Sequence, residues 1–332
     1  MREPAAANPI RAFLVGPTGV GKTEVAIHVA RAIDAEIVSV DARQIYERLT
    51  IGTAKPTPAE RHAVRHHLID RLDPRERCSA GRFLSMFRET LDDLRARGRA
   101  GLAVGGAGLY VDACLGRFHD LPPADEAFRA RALRIEEQEG PGSLHRRLCA
   151  VDPATASRLA PRDLQRIVRA LEVSERAGRP MSELFAAATE AACPPETPVI
   201  LLDRLTRDLY TRIEARCEAM LAAGLLREVR GLLEAGVQPD AAGMKSVGYA
   251  EWIAYLSGRI DHDQAHELFL RNSRRYAKRQ RTWFRNRHPD RIEIRIPEGQ
   301  PPEATAAQVL EVLDARERRA GRDGRRGDRD DP

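Results

Sequence analysis

Residues 16–23 combine the residue types and the spacing of a phosphate-binding loop. The segment consists of Gly16, Pro17, Thr18, Gly19, Val20, Gly21, Lys22 and Thr23. The glycines let successive backbone N–H groups point inward, Lys22 supplies a mobile cation, and Thr23 offers a hydroxyl to Mg²⁺. We therefore predict that this segment holds two linked phosphates, with Mg²⁺ as the cofactor and Thr23 as its protein ligand.

A strand and a helix must position such a loop, and the sequence predicts both. Apolar residues 12–15 come directly before the loop, and a helical pattern covers residues 24–33. Further strand patterns occupy residues 36–40, 66–70, 101–104, 199–203 and 291–296, the last of which alternates as an edge strand does. We predict an α/β fold whose core is a P-loop NTPase-like parallel sheet flanked by helices.

The chain divides into an α/β core and a helical insertion. Prolines at 122 and 123 mark a boundary, and residues 125–192 are Arg-rich and helical in pattern. With 332 residues, of which 42% are hydrophobic, the chain can bury a sizeable core. We predict core segments at 1–117 and 199–318, an inserted all-helical lobe at 118–198, and a disordered tail at 319–332.

A carboxylate is predicted beside the phosphate loop. Asp41 follows the strand at 36–40. Because the carboxyl ends of parallel strands share one edge of the sheet, Asp41 should face the same crevice as Lys22. The alternative role for Asp41 is that of a helix N-cap.

The strand at 101–104 ends in Gly105 and Gly106, where an ordinary P-loop ATPase or GTPase often carries an Asp that orders Mg²⁺. The missing carboxylate argues against simple hydrolysis of a nucleoside triphosphate. The glycines either allow close approach of a substrate or form a tight strand-to-helix turn.

Clusters of arginine provide candidate anion-binding surfaces. Arg162, Arg166 and Arg169 are spaced by four and three residues, which predicts one helical face, and Gln165 lies beside them. This face is either a solvated surface or a contact to an RNA backbone with Gln165 at a base edge.

Two further basic segments lie in the second half of the chain. Arg212 and Arg216, one helical turn apart, either clamp a diphosphate or pair with Glu214 and Glu218. Residues 262–287 form a strongly basic helical pattern interleaved with aromatic residues, which suits a polyanion that carries flat bases. The net charge of +5 agrees with a polyanionic partner.

Several kinds of site find no support in the sequence. The five cysteines are scattered without a CxxC pair, so we expect neither a disulfide framework nor a zinc site, and we interpret them as core residues. His66 and His67 lack partners at ligand spacing and are interpreted as packing residues. No apolar stretch is long enough for a membrane span or a signal peptide, so we expect a cytoplasmic protein.

The residues alone leave the reaction undecided. A phosphate-transfer enzyme would use the loop to position a γ-phosphate. An alkyl transferase would use the same loop to hold a diphosphate leaving group while a nucleophile attacks the attached carbon.

A set of segments in fixed order resembles a known family. The segments are residues 16–23, 39–41, 44–46, 51–56, 104–106, 165–166, 248–249 and 276–280. Together they resemble the bacterial tRNA dimethylallyltransferases of the IPP transferase family, over roughly residues 10 to 300.

The resemblance implies transfer of a dimethylallyl group from dimethylallyl diphosphate to N6 of the adenosine on the 3′ side of the anticodon in tRNA. The implied catalytic residues are Asp41, as general base on the adenine amine, with Lys22 and Arg216 at the diphosphate. The loop 16–23 would bind that diphosphate. The expected partners are dimethylallyl diphosphate and the tRNA anticodon stem-loop, and the enzyme is expected to be a monomer.

The resemblance also implies which residues contact tRNA. They are Asp41, Ala42, Arg43, Gln44, Ala107, Arg129, Gln165, Arg166, Ile167, Val168, Arg169, Lys245, Ser246, Val247, Gly248, Tyr249 and Ala250. The target base would have to leave its stack to reach the loop, as in other base-modifying enzymes.

Two positions depart from the family pattern. Ala42 replaces the usual Ser after the general base, and Ala107 replaces the usual Thr after the glycine pair, so each removes a hydroxyl. Ser39 or a water could take over from the missing groups. The alternatives are a small-molecule P-loop kinase, which would consume ATP, and a tRNA-binding member that has lost catalysis.

Overall fold

The computed structural model describes residues 8–117, 121–122, 124–184, 192–194 and 196–327. Its centre is one sheet with the strand order β3-β2-β4-β1-β5-β6, in which every neighbouring pair is parallel. The strands are β1 (Ile10–Val15), β2 (Ala35–Val40), β3 (His66–His67), β4 (Ala100–Gly105), β5 (Val199–Asp203) and β6 (Ile292–Arg295). The predicted α/β class and parallel sheet are therefore confirmed.

The inner strands β2, β4, β1 and β5 are almost completely buried, as expected for a parallel sheet that is covered on both faces. Their carboxyl ends lie at one edge, because Gly105 is in register with both Val15 and Val40. β6 is an edge strand, as its alternating sequence predicts, and β3 contains only two of the five predicted residues. The loops that follow this edge carry the candidate chemistry.

Helices cover the sheet and build the insertion. Those of the core are α1 (Lys22–Ala32), α2 (Pro58–Ala63), α3 (Ala80–Ala96), α4 (Gly108–Cys114), α10 (Thr206–Ala222), α11 (Leu225–Glu234), α12 (Tyr249–Leu256), α13 (His262–Arg287) and α14 (Pro302–Gly327), with a 3-10 turn at Gly243–Lys245. Those of the insertion are α5 (Glu126–Glu139), α6 (Ser143–Val151), α7 (Pro153–Ala156), α8 (Leu164–Ala177) and α9 (Met181–Leu184).

The last helix is longer than the sequence predicts. α14 packs against α1 and continues to Gly327, inside the segment 319–332 for which we expected disorder. Arg and Ala in residues 319–327 have high helix propensity, and the helix continues through them despite three glycines. Residues 328–332 lie outside the described residues.

The chain forms two compact units, one made of Met1–Leu115 with Ala192–Pro332 and the other of Gly116–Ala191. The described residues of the second unit contain helices and no strand. The chain rejoins the first unit earlier than the predicted boundary at 198, because the N–H groups of Ala192 and Cys193 both donate to the carbonyl of Cys114. We refer to residues 116–191 as the helical lobe.

The cysteines and the histidine pair have mostly structural surroundings. All five cysteines are free, and Cys114, Cys193 and Cys217 are buried, whereas the interpretation as a core residue is wrong for Cys149, which is exposed. His67 contacts the buried carboxylate of Glu36 at 2.6 Å. No helix in the described part of the chain is long and apolar enough to span a membrane.

Candidate active site

The phosphate loop connects the buried strand β1 to α1. Gly19 and Gly21 have φ values of +82° and +100°, which L-residues with a side chain rarely adopt. α1 begins at Lys22, and no side chain caps its first turn. Its first N–H groups are therefore left for an anion, which the helix dipole favours.

Lys22 and Arg216 are two cations that interact electrostatically with the carboxylate of Asp41. The Lys22 ammonium donates to the carbonyls of Gly16 and Pro17, each at 2.9 Å. Burial lowers the pKa of Lys22 to about 8, while Asp41 opposes the shift and Arg216 adds to it. Burial also lowers the pKa of Arg216, against the charges of Cys217 and Asp41.

Asp41 follows β2 at the same sheet edge. Its Oδ1 accepts the N–H groups of Arg43 at 2.7 Å and Gln44 at 3.2 Å, which closes a turn. Residues 41–48 contain no helix, so the alternative role as a helix N-cap is wrong. Because only Oδ1 is used in this turn, Oδ2 is left for a ligand.

One cavity of about 760 Å³ brings these groups together. Lys22, Asp41 and Arg216 all line it, as we predicted for the first two from the sheet edge that they share. Tyr276 also lines it, and burial and then the charge of Asp41 raise the pKa of Tyr276 to about 12. The cavity therefore combines cations, a carboxylate and a protonated phenol at neutral pH.

Arg212 and Arg216 differ in their roles. Arg212 donates from Nε to the carbonyl of Gly19 at 3.0 Å, so it braces the phosphate loop. The predicted alternative, an ion pair with Glu214 or Glu218, is wrong, because Arg274 contacts the first and His266 the second.

The glycine pair at the end of β4 makes close contacts within the chain. A Cβ on Gly105 would lie 1.9 Å from the carbonyl oxygen of Val40, and one on Gly106 would lie 2.2 Å from Nε2 of Gln280. The close neighbours are thus β2 and α13, which favours the tight-turn alternative over close approach of a substrate. The strand ends without a carboxylate, as the sequence states.

Thr23 is the candidate ligand for Mg²⁺. It stands in the first turn of α1 and lines the cavity, and its hydroxyl makes no hydrogen bond within the described part of the chain. The described residues contain no group of three His, Cys, Asp or Glu that could hold a metal. Since Mg²⁺ commonly takes one or two protein oxygens and completes its shell with phosphate oxygens and waters, this donor set fits Mg²⁺ bound together with a diphosphate.

Several predicted tRNA-contacting residues of the core line the cavity and are at least partly exposed. They are Asp41, Arg43, Gln44, Lys245 and Val247. Ser246 also lines the cavity but is buried, and its hydroxyl donates to the carbonyl of Gly243. Ala42, Ala107 and Ala250 are at least partly exposed. These exposed positions are available to a ligand.

The side chain of Tyr249 is not available for such a contact. It is fully buried, and its hydroxyl donates to Glu228 at 2.5 Å. The same carboxylate accepts the N–H groups of Thr50, Ile51 and Gly52. Tyr249 and Glu228 therefore shape the loop at 50–52, and the expected RNA contact is wrong for the side chain of Tyr249.

Ser39 is not free to replace a missing hydroxyl. It is 2% exposed, and its Oγ donates to Oε1 of Gln44 at 3.2 Å. Gln44 in turn donates to the carbonyl of Ala54 at 3.0 Å. Ala107 begins α4 as an N-cap that has no side-chain hydrogen bond. The two departures from the family pattern thus have no compensating side-chain hydroxyl in Ser39.

The predicted arginine row in the helical lobe is wrong. α8 begins at Leu164 after its N-cap Asp163, so Arg162 precedes the helix and does not share its face. Arg166 is 71% exposed and contacts Asp163 at 3.0 Å. Gln165 is exposed beside it.

The neighbouring positions of α8 are part of the lobe's interior. The side chains of Ile167 and Val168 are buried in its hydrophobic core, which removes them from contact with RNA. Arg169 and Arg129 both bind the carboxylate of Glu172, at 2.5 and 2.9 Å, and Glu172 is fully buried. The hydrogen bonds from these arginines hold the pKa of Glu172 below its usual range, although burial alone would raise it.

The basic helix α13 divides its charges between two tasks. Arg281 and Arg285 bind the buried Asp203 at 2.9 and 2.8 Å. Four cations are exposed and form no ion pair with a described residue: Arg271, Arg275, Lys278 and Arg279. The sequence shows the positive charge of this helix. It does not show that Asp203, the last residue of β5, is the partner of two of these arginines, because Asp203 lies far away along the chain.

A phosphate loop at the carboxyl edge of a parallel sheet, with a carboxylate in the same cavity, defines a P-loop α/β protein. The sequence model described as IPP transferase matches residues 44–287. A tRNA dimethylallyltransferase of Symbiobacterium thermophilum is 48% identical over 276 residues, which cover 82% of this chain and 85% of that protein. The chain therefore belongs to the IPP transferase family.

Solved structures agree with this assignment. The tRNA isopentenylpyrophosphate transferase of Bacillus halodurans has a TM-score of 0.69 at 31% identity, and the match covers 95% of this chain and 100% of that one. A eukaryotic dimethylallyltransferase acting on tRNA has a TM-score of 0.76 at 24% identity, covering 91% of this chain and 77% of that one, and it supports the fold alone.

Proposed function

We propose that this protein transfers the dimethylallyl group of dimethylallyl diphosphate to N6 of the adenosine on the 3′ side of the anticodon in tRNA. In this reaction a bond forms between N6 and the prenyl carbon, the bond from that carbon to the diphosphate oxygen breaks, and the amine loses a proton. The observation that carries the proposal is the shared cavity of Asp41, Lys22 and Arg216 in a member of this family.

The donor diphosphate would bind at the loop 16–23. The uncapped first turn of α1 offers N–H groups, and Lys22 and Arg216 offer positive charge in the same cavity. These groups are directed at the leaving group, whose negative charge grows as the bond to carbon breaks. Mg²⁺ held by Thr23 and the diphosphate would neutralise part of that charge.

Asp41 would act as the general base. The N6 amine is conjugated to the purine and is a poor nucleophile, so removal of its proton during attack has a clear use. The turn formed by Oδ1 with Arg43 and Gln44 holds the carboxylate in place, and Oδ2 remains for the proton. The carboxylate is close enough to Lys22 to affect its pKa, so the base and the diphosphate site are neighbours.

The tRNA would bring the anticodon stem-loop to the enzyme. Arg43, Lys245 and Arg279 are cations at the cavity, and Arg166 is an exposed cation of the helical lobe. Phosphate contacts of this kind position a nucleic acid, whereas the extruded base must be recognised inside the cavity. We further propose that the enzyme acts as a cytoplasmic monomer.

Transfer of label from dimethylallyl diphosphate to unmodified tRNA tests the proposal. We expect label in tRNA that disappears when the target adenosine is replaced by guanosine, and we expect dependence on Mg²⁺. An ATP reaction with tRNA omitted runs beside it, because a small-molecule kinase would consume ATP without tRNA. Family membership does not favour that alternative. Tight tRNA binding without label would contradict the proposal and support a member that has lost catalysis through Ala42 and Ala107.

A further inference from the structure

Gln280 joins α13 to two loops of the active site. Its side chain is 6% exposed and lies on the buried face of α13 with Ala277 and Phe284. Its Oε1 accepts the N–H of Thr18 at 2.8 Å, and its Nε2 donates to the carbonyl of Gly106 at 3.1 Å. A single amide therefore ties α13 to the phosphate loop and to the turn after β4.

The two hydrogen bonds fix the orientation of this amide. A flipped amide would place a donor against the N–H of Thr18 and an acceptor against the carbonyl of Gly106. Gly106 also has to be glycine for the contact, since a Cβ there would lie 2.2 Å from Nε2. Because the amide cannot rotate without losing both bonds, it holds Thr18 at a fixed place relative to α13.

Gln280 holds the phosphate loop differently from the arginines that also touch it. Arg204 donates to the carbonyl of Val20 and Arg212 to that of Gly19, both at 3.0 Å. Gln280 instead accepts an N–H, that of Thr18, in the half of the loop that precedes α1. This N–H is thus taken, whereas the N–H groups of the uncapped first turn of α1 stay available for a diphosphate.

We propose that Gln280 is a positioning residue for the donor: by binding the N–H of Thr18 it fixes the loop in the shape that receives a diphosphate. It acts through the backbone of Thr18 and does not touch the reacting atoms. The inference rests on the proposed function for the identity of the donor, but the affinity of the loop for a diphosphate group can be measured without any transfer to tRNA.

The variant Gln280→Met tests the hydrogen bonds at nearly constant side-chain length. It leaves the N–H of Thr18 and the carbonyl of Gly106 without partners. We therefore expect the affinity for inorganic diphosphate to fall about tenfold and the KM for dimethylallyl diphosphate to rise about tenfold. The KM for tRNA should stay within about twofold, because no contact to RNA is removed. Calorimetry of diphosphate binding and steady-state kinetics with each substrate varied give the two quantities.

Gln264 provides a matched control on the same helix. It also accepts a backbone N–H, that of Asp261 at 3.1 Å, but it lies at the start of α13, away from the loop. Gln264→Met should leave diphosphate affinity unchanged. Normal diphosphate affinity in Gln280→Met would overturn the proposal, and so would an equal change of both KM values together with a loss of thermal stability, which a purely structural role predicts.

Gly106→Ala disturbs the same contact by adding a Cβ against the amide of Gln280. It provides a second test if Gln280→Met does not fold. It should weaken diphosphate binding in the wild-type background and have a smaller effect in Gln280→Ala, where the colliding side chain is absent and only the carbonyl oxygen of Gly16, at 3.2 Å, stays close to the new Cβ. Full additivity of the two substitutions would overturn the proposal. If the wild type binds diphosphate and yet transfers no prenyl group, the proposed function fails while the role of Gln280 in binding is still measured.

Discussion

Replacement of Asp41 by Asn separates the chemistry of this residue from its structural role. Asn keeps an oxygen at Oδ1, so it can still accept the N–H groups of Arg43 and Gln44 that close the turn after β2. The variant loses the negative charge of the carboxylate and the basic oxygen Oδ2, which an NH2 group replaces. The change therefore removes the proposed proton acceptor and leaves the local backbone supported.

The expected effect follows from these contacts. Loss of a positioned general base typically reduces the rate by about a hundredfold to ten-thousandfold, so we expect Asp41→Asn to lower single-turnover transfer by about a hundredfold or more. This is a loss of at least about 2.7 kcal/mol of transition-state stabilisation. Affinity for tRNA should change little, because the turn persists and the net charge becomes more positive.

Asp73→Asn is the matched control. Asp73 accepts the N–H of Arg75 at 2.8 Å in the same kind of turn but does not line the cavity. Rapid-quench transfer of labelled dimethylallyl to tRNA, with filter binding of tRNA alongside, gives rate and affinity for both variants. A rate for Asp41→Asn within about threefold of the wild type would refute the general-base role, since even weak bases contribute more than this.

Three further perturbations address the cations and the missing hydroxyl. Arg166→Ala should weaken tRNA binding and reduce the slope of log affinity against log salt concentration by about one, measured by titration between about 50 and 200 mM salt. An unchanged slope would show that Arg166 does not contact an RNA phosphate. Burial lowers the pKa of Lys22 to about 8, so the free enzyme loses the charge of this side chain as the pH rises through that value. Calorimetry should therefore show the affinity for diphosphate falling between about pH 7 and 9. Lys22→Arg should remove this pH dependence, because arginine stays charged over the whole range. Ala107→Thr adds a side-chain N-cap to α4, so urea unfolding should show about 1 kcal/mol more stability, and turnover should rise through the restored hydroxyl.

The parts of the fold that the sequence predicts are those set by local patterns. The phosphate loop, the inner strands and the position of Asp41 depend on short runs whose period and turn residues lie within a few neighbours. The parallel arrangement of the strands also follows from simple rules, because strands that alternate with helices form parallel sheets whose carboxyl ends share the ligand edge. For these reasons the sequence predicts that Asp41 and Lys22 share one cavity, as they do in the structure.

The parts that could not be predicted depend on partners far away in the chain. Gln280 finds Thr18 across 262 residues, and no local pattern in α13 distinguishes this glutamine from a solvated one. Arg162 lies outside α8 because Asp163 caps the helix, a boundary that spacing alone does not locate. The length of α14 shows the same limit, since composition suggested disorder where helix propensity prevails.

Buried carboxylates explain why fewer arginines are available to RNA than the clusters in the sequence predict. A buried charge without a partner is strongly unfavourable, so Glu172 requires Arg129 and Arg169, and Asp203 requires Arg281 and Arg285. Removing one of these arginines leaves a buried carboxylate with one arginine partner instead of two, which destabilises the fold before any contact with RNA is considered.

Loss of tRNA binding in an arginine variant has to be interpreted against this background. Arg129→Ala would weaken binding even if Arg129 never meets a phosphate, because the buried Glu172 would then destabilise the helical lobe. Arg166 is exposed and its only ion-pair partner in the described chain is the half-buried Asp163, so its removal costs little stability. A reduced salt slope in Arg166→Ala with unchanged thermal stability would therefore report a phosphate contact, whereas the same loss of affinity in Arg129→Ala would not.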